Sequence, residues 1–299
     1  MRAESILDQP NGEDRHRGRV RFRVGAWMKV AEDLSAEVRL STSSGHPDSA
    51  NWDLGGGADG TTTGGAQVVI DRVQMKWQAD EALTLQAGKM GNPFHVNPLF
   101  DEWLWDDDIQ FSGIAGTWAF ASDIDARAGY FVLDENNAPG DAVDPAVAVL
   151  QVGGHTPAAS GQLTWSTALW NWTSESPADY QVWDTMLAFK RDEWSMSLQY
   201  FENLNADSEG TGLAASVQYG QGGRAGDGQL FLHWSDFEAN ASDWSLATDD
   251  IPITVGPDGR EAWIAGYRYW WHDNTTLKFY ALQGDDGTDD LCACASICR

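Results

Sequence analysis

The sequence predicts an all-β protein, folded as an antiparallel up-and-down β-barrel that spans a membrane. Fourteen stretches alternate apolar and polar residues with a period of two, the repeat of a strand with two different faces. The connections between them alternate between short and long. The composition agrees, with 16 Trp, 11 Phe and 7 Tyr beside 31 Gly, as expected for many strands joined by glycine-containing turns.

The first predicted strand, Arg17–Val30, shows the two faces clearly. Val20, Val24 and Met28 lie on one side, whereas Arg19, Arg21, Arg23 and Lys29 lie on the other. A short turn leads to the second strand, which carries Glu37 and Arg39 on its polar face. The predicted strands are Arg17–Val30, Leu34–Ser43, Ala66–Ala79, Leu83–Met90, Gln110–Ala121, Ile124–Leu133, Ala146–Gly154, Gln162–Trp172, Val182–Lys190, Trp194–Phe201, Leu213–Tyr219, Gln229–Ser235, Trp263–Trp271 and Thr275–Gln283.

The order of the connections predicts how the barrel lies in a membrane. Short turns gather at the periplasmic rim of such barrels and long loops lie outside, and strands of about 9–11 residues cross the hydrocarbon. Backbone groups in lipid must all be paired, so the meander must close on itself. Both predicted end strands have their free ends on the long-loop side, whereas barrels of this class have an even strand count and periplasmic termini. We therefore expect one further strand at each end, sixteen in all.

The ends of the chain set the predicted domain limits. Residues 1–16 are interpreted as the remnant of an upstream strand or periplasmic segment, and residues 17–290 as the barrel. The start lacks the apolar core of a signal peptide, which by itself indicates a cytoplasmic protein. The parity of the end strands favours instead a chain truncated at both ends. All three cysteines, Cys292, Cys294 and Cys298, fall in residues 291–299. Their spacing suits a metal site, but the tail lacks the alternation of the preceding sequence, so we interpret it as aberrant and not native barrel sequence.

Charge and hydropathy exclude other classes. The net charge of −26, from 45 acidic and 19 basic residues, argues against nucleic-acid binding, which needs clustered Lys and Arg. No run of eighteen apolar residues exists that would form a transmembrane helix.

One long departure from the strand pattern in the first half is Gly91–Ile109. This loop contains two Pro, two Trp and the triple carboxylate Asp106, Asp107 and Asp108. A loop of this length inside a compact chain is more often functional than filler, and its aromatic content argues against disorder.

The motif GKMGNPF, followed by WDDDI and GIA, resembles the signature of the putative porin family of Gram-negative outer membranes. The opening run RHRGRVRFRVGAWMKVAEDLSAEVRL resembles that family's first hairpin, including its ladder of arginines. Lys89 stands where an arginine is usual, and QFSGIA replaces the usual Pro-Glu-Gly-containing run. The resemblance implies an outer-membrane channel for passive diffusion of ions and small hydrophilic solutes, narrowed by an infolded loop at 91–109. It implies contact with lipid and lipopolysaccharide, and no cofactor or enzymatic activity. Trimers are common among porins, although no residue pattern here establishes a homotrimer.

If this loop folds inward, its carboxylates face a basic wall across the pore. Opposed charges at a constriction orient polar solutes and tune ion selectivity. The alternative is that the basic residues are only the solvated face of the strands. From the acidic loops Asp134–Asp144 and Asp236–Gly259 we expect a mild cation preference. The predicted pore-lining residues are Arg19, Arg21, Arg23, Arg39, Arg72, Lys76, Lys89, Asp106, Asp107 and Asp108.

Other chemistry is less well supported by the spacing. The triple Asp resembles a Ca²⁺ ligand set, but consecutive residues of an extended chain point in alternate directions, so we predict no metal site. Asp101 and Glu102 are paired carboxylates of the kind glycosidases use, although sequence cannot supply their separation. The alternative function is therefore a secreted, Trp-rich all-β carbohydrate-binding protein or glycanase.

Overall fold

The protein is described by a computed structural model that covers residues 2–7, 15–43, 50–54, 67–133, 144–173, 180–243, 246–247, 260–284 and 289–297. All of its strands belong to one antiparallel sheet. The strands are β1 (Arg2–Leu7), β2 (Arg15–Val20), β3 (Arg23–Lys29), β4 (Leu34–Ser43), β5 (Trp52–Asp53), β6 (Gln67–Gln78), β7 (Leu83–Met90), β8 (Phe111–Ala121), β9 (Ile124–Val132), β10 (Ala146–Ala158), β11 (Gly161–Thr173), β12 (Gln181–Arg191), β13 (Trp194–Asn203), β14 (Thr211–Gly220), β15 (Gly228–Phe237), β16 (Arg260–His272), β17 (Thr275–Gly284) and β18 (Asp289–Ile297).

The sheet closes into a barrel at the ends of the chain. β1 pairs antiparallel with both β2 and β18, and every other strand position pairs with its neighbours in sequence. β2 and β3 are two parts of one strand, and β5 is a two-residue segment beside β2. Within the described residues the chain therefore occupies sixteen positions around the barrel. The predicted fold class, an all-β up-and-down barrel, is confirmed, and each of the fourteen predicted strands is present.

The segments at the two ends take part in the barrel wall. β18 pairs with β17 through backbone partners that include Leu291↔Ala281 and Cys292↔Tyr280. Residues 291–297, which follow the predicted end of the barrel at residue 290, therefore occupy a strand position. Arg2–Leu7, in the segment interpreted as a remnant, fills the adjoining position. The interpretation of residues 291–299 as aberrant sequence concerns how this segment arose, and it stays a prediction. Cys298 and most of the two acidic loops, residues 134–143 and 248–259, lie outside the described residues.

The two faces of the strands are sorted with apolar side chains outward. Trp118 of β8 is 59% exposed and Leu150 of β10 is 60% exposed, whereas Ser216 of β14 and Gln151 of β10 are each 1% exposed. This arrangement is the reverse of a water-soluble core, in which large apolar groups are buried. The strands therefore present an apolar surface to their surroundings and polar groups to the interior, which is the pattern of a membrane barrel.

The turn between β10 and β11 differs from the sequence pattern. β10 and β11 extend further than predicted and meet in a two-residue turn, Ala159-Ser160, whose residues have φ of 47° and 65°. Positive φ at both central residues is the conformation of a tight hairpin turn that matches the twist of the strands.

Among the described residues, no helix is both long enough and apolar enough to cross a membrane.

Candidate functional site: the loop inside the barrel

The segment Gly91–Ile109, called here the lumen loop, leaves β7 and turns into the barrel. A Cβ atom at Gly91 would collide with the guanidinium of Arg72, so glycine lets that side chain pass close to the backbone. The Asn92 side chain accepts a hydrogen bond from the Phe94 amide at 3.0 Å, which fixes the first turn. Arg127 of β9 then donates to the Pro93 carbonyl at 2.9 Å.

His95 attaches the loop to the wall formed by β9 and β10. The Gln151 side chain accepts a hydrogen bond from the His95 amide at 2.6 Å and donates one to the His95 carbonyl at 3.0 Å. It thus makes the two hydrogen bonds to the His95 backbone that a neighbouring strand would make in a sheet. His95 Nε2 lies 3.1 Å from Asp125, which also accepts from Arg127 at 2.7 Å. Burial, followed by the positive charge of Arg127, lowers the pKa of His95 below its usual value.

The middle of the lumen loop reaches the opposite part of the barrel. Asn97 donates to Gln199 of β13 at 3.3 Å, and Gln218 of β14 donates to the Leu99 carbonyl at 3.1 Å. These contacts lie six and seven strands away from β7, where the loop begins. Polar side chains that face the interior thus satisfy backbone groups of a loop that has no regular pairing of its own.

Aromatic side chains of the lumen loop pack against inward-facing aromatic residues of the wall. Phe94 lies 5.1 Å from Trp170, Trp103 lies 5.6 Å from Phe237, and Trp105 stacks on Trp172 at 5.7 Å. Trp103 and Trp105 are only 1% and 3% exposed. Burying each such side chain stabilises the loop by roughly 1.5–3 kcal/mol, so this half of the interior is a packed core.

The end of the lumen loop is held by charge. The Asp108 carboxylate accepts from Arg21 at 2.5 Å, from Arg23, and from the Ala50 amide at 2.8 Å. Its side chain is 3% exposed. Asp107 lies 3.3 Å from Arg21 and is more open, with 39% of its side chain exposed. The predicted carboxylates therefore touch the basic wall directly, where the sequence suggested that they face it across the pore.

Although 39% of its side chain is exposed, the Asp107 carboxyl is surrounded by protein groups, and this partial burial raises its pKa to about 6. The charge of Asp108 acts in the same direction. The positive charge of Arg21 opposes this shift. We therefore expect the charge of Asp107 to change in mildly acidic solution.

Two carboxylates of the site are absent from the predicted pore-lining residues. Glu37 was placed only on a polar strand face, and Asp71 was missed. Asp71 pairs with Arg39 and lies 3.5 Å from Arg23, and Glu37 lies 3.9 Å from Arg72 and bonds to Gln74. A bulge in β6 makes Asp71 an extra residue between two paired positions, so it joins Arg72 on the inner face. The sequence did contain a signal of this bulge, because Asp71 is an acidic residue at a position that period-two alternation assigns to the apolar face.

The remaining predicted residues divide between the two faces. Arg19 of β2 is 4% exposed. Lys76 of β6 lines a polar cavity of about 420 Å³ together with Arg72 and Arg127. The structure does not bring Lys89 to this site. Its backbone partners, Val73 and Ser112, belong to the outward face.

The three consecutive aspartates have carboxylate oxygens within 4.8 Å of one another. Asp106 accepts the Asp108 amide at 2.7 Å, and Asp108 is bound by two arginines. The local positive charge that such a cluster needs is thus supplied by protein side chains.

Comparison with known proteins gives the same assignment as the geometry. A sequence model of the family described as "Putative porin" matches residues 5–176, more than half of the chain. The chain belongs to this porin family. No curated protein sequence matches it.

Solved porins share the fold of this chain. A triple mutant of the Rhodopseudomonas blastica porin is 13% identical, with a TM-score of 0.60 over 99% of this chain and 97% of that one. Pseudomonas putida OprB, in a structure at high pH, is 9% identical, with a TM-score of 0.69 over 98% of this chain and 91% of that one. The family and the fold are those of an outer-membrane porin channel rather than of an enzyme.

The Asp108→Asn variant tests the charged attachment of the lumen loop. Removing the charge leaves Arg21 and Arg23 without their shared carboxylate, and charge-assisted hydrogen bonds contribute about 1.5–3 kcal/mol. We expect the folded barrel to melt at a lower temperature, measured by circular dichroism in detergent. Asp107→Asn is the matched control and should have the smaller effect, because Asp107 is more exposed. Equal losses in the two variants would contradict this account.

Proposed function

We propose that this porin is a passive channel for ions and small hydrophilic solutes whose narrowest part is bounded by the lumen loop. The observation that carries the proposal is that the loop is attached on both sides of the barrel, at Gln151 on one wall and at Gln218 on another. A loop held at several points across the interior reduces the open cross-section without closing it.

The same contacts favour a fixed constriction over a gate. Trp103 and Trp105 pack against wall residues, and Asp108 is bound by Arg21 and Arg23. Opening the loop would expose both aromatic side chains and separate the ion pairs, at a combined cost of several kcal/mol. Passage would then depend on solute size and charge, with no conformational step.

The outward face fits a Gram-negative outer membrane. Large apolar side chains such as Ile114, Leu150 and Leu198 are exposed there and would contact lipid, including lipopolysaccharide. This surface and the family membership both favour a channel over the carbohydrate-binding or glycanase alternative. A homotrimer stays a prediction from the resemblance to porins.

Replacing Val96–Leu104 with a short Gly-Ser linker tests the constriction. We expect a several-fold increase in single-channel conductance in planar bilayers, because the packed part of the loop is removed while the strands are kept. The control replaces Asn205–Glu209, in the connection between β13 and β14, with the same type of linker and should leave conductance near that of the unmodified chain. A conductance that does not change after the Val96–Leu104 replacement would rule out the loop as the limiting element.

We further propose a mild preference for cations. Arg21, Arg23, Arg39 and Arg72 lie beside carboxylates that offset their charge locally. The segments 134–144 and 236–259 contribute ten acidic residues and no basic ones. Fixed negative charge at a pore mouth raises the local concentration of cations and lowers that of anions.

This preference should weaken in acid. Because the pKa of Asp107 is raised to about 6, its carboxylate is charged at pH 8 and mostly neutral at pH 5. The pore thus loses one negative charge as the pH falls through 6, and the reversal potential in a KCl gradient should move towards the anion side. His95, whose pKa is lowered, stays largely neutral over the upper part of this range.

The Asp107→Asn variant is the control for this pH dependence. It should show a smaller shift of the reversal potential between pH 8 and pH 5 than the unmodified chain. If the variant responds to pH as strongly, Asp107 is not the group that titrates. An anion preference of the unmodified chain at pH 8 would contradict the proposed selectivity itself.

A further inference from the structure

The polar cavity beside the first residues of the lumen loop lies on the inner wall formed by β3, β4 and β6–β9. Its volume is about 420 Å³. Small-molecule sites have volumes of about 300–1,000 Å³, so one small solute fits here. Gly91, which follows the last residue of β7, and Thr84, near the start of the same strand, both line it. The cavity therefore extends from the lumen loop towards the short turn between β6 and β7.

The Trp27 side chain presents an open aromatic ring to this cavity. Trp27 of β3 pairs directly with Glu37 of β4, and residues paired in this way lie on the same face of the sheet. Glu37 lies on the inner face, so Trp27 also points into the interior. Its side chain is 65% exposed, and within the described residues no other ring packs against it. In contrast to the buried Trp103 and Trp105, this ring is available to a solute.

Lys76 of β6 is a second group that a solute can reach. Trp27 and Lys76 line this cavity and also a neighbouring one of about 470 Å³ at the turn between β3 and β4, so the two side chains lie close together. Arg72 and Arg127, the other cations of the cavity, are each held by an acidic side chain. Within the described part of the chain, no carboxylate lies at ion-pairing distance from Lys76. Its exposed ammonium group is therefore open to an anionic solute.

Two neutral side chains of the cavity are free to form hydrogen bonds. Gln86 of β7 is the direct strand partner of Lys76, and Thr117 of β8 lines the same cavity. Among the described residues, neither side chain has a hydrogen-bond partner, and an amide and a hydroxyl can each offer both donor and acceptor capacity. Glu37 also lines the cavity, but it is 4% exposed and is bound by Gln74, so it belongs to the wall.

We infer that this cavity is a binding site for sugar acids, which are ring sugars that carry a carboxylate. This inference rests on the proposed channel function and adds a substrate class to it. The Trp27 ring supplies an apolar face for the C–H groups of the sugar ring. The Lys76 ammonium supplies a charge-assisted hydrogen bond to the carboxylate, and Gln86 and Thr117 supply partners for the hydroxyl groups.

The choice of this class follows from the three kinds of group in the cavity. A neutral sugar leaves the Lys76 ammonium with water, and an inorganic anion leaves the Trp27 ring uncovered. A carboxylate on a plain hydrocarbon ring leaves the amide and hydroxyl of the wall without new partners. A sugar acid uses all three kinds of group at once. Such a site must bind weakly enough to release the solute, because transport through a pore requires both entry and exit.

D-Glucuronate is a suitable probe, with D-glucose as its neutral analogue and cyclohexanecarboxylate as an analogue without hydroxyl groups. The purified full chain is inserted in planar bilayers, and the KCl conductance is measured at neutral pH while each compound is added. We expect D-glucuronate to reduce the conductance in a saturable manner, at a lower concentration than either analogue. If D-glucuronate is no more effective than D-glucose or than cyclohexanecarboxylate, the proposed class is wrong.

Variants of the two exposed side chains locate the site. Lys76→Gln removes the charge-assisted contact and should raise the half-blocking concentration of D-glucuronate at least ~5-fold, towards that of D-glucose. Trp27→Leu removes the aromatic face and should raise it about 3-fold, whereas Trp27→Tyr keeps a ring and should retain the block. Equal weakening in Trp27→Leu and Trp27→Tyr would exclude the ring from the site.

Lys190→Gln is the matched control for charge. It removes one positive charge from an inward-facing position of β12 near another short turn, away from this cavity, and should leave the block unchanged. Equal weakening in Lys76→Gln and Lys190→Gln would overturn the site while leaving the channel intact. Absence of any conductance in the unmodified chain would instead overturn the proposed function and, with it, this inference.

Discussion

The closed antiparallel backbone pairing is the constraint on which the rest of the structure depends. Because each strand position pairs with its neighbours on both sides, including β1 with β18, successive side chains alternate between the outside and the interior except at bulges such as that at Asp71. In lipid, no backbone group on the wall has water as a partner, so this pairing must be complete. The consequence is a barrel whose apolar side chains face outward and whose interior collects polar groups, among them nearly all the charges of the functional site.

A polar interior also explains how the lumen loop is held. The loop offers unpaired amides and carbonyls, and the wall offers Gln151, Gln199 and Gln218 at positions where they can bond to it. Aromatic residues then pack one half of the interior, so the space that remains is polar and one-sided. The fixed loop and the paired arginines together define a path whose chemistry differs from one wall to the other.

Much of this could be predicted from the sequence, because period-two alternation determines the strands and their faces directly. The infolding of the lumen loop came from the resemblance of its motif to porins, and alternation alone would not have given it. Asp71 was missed because a bulge shifts it to the inner face, which a strict period of two cannot represent. Lys89 was assigned to the pore by resemblance, although its alternation with Leu85 and Ala87 matches the outward face on which the structure places it. Contacts between distant segments, such as Asp108 with Arg21, depend on tertiary geometry that no local pattern contains.

Hydrogen–deuterium exchange of the detergent-solubilised barrel tests most directly whether the lumen loop is fixed across the interior. The amides of Phe94, His95, Leu99 and Asp108 are bonded to side chains, and that of Asp106 to the Leu246 carbonyl. Local opening of the loop must break these bonds together with its aromatic packing, so we predict that peptides covering residues 91–109 exchange almost as slowly as the strands. Exchange of these peptides at the rate of the connection between β13 and β14 would contradict the account.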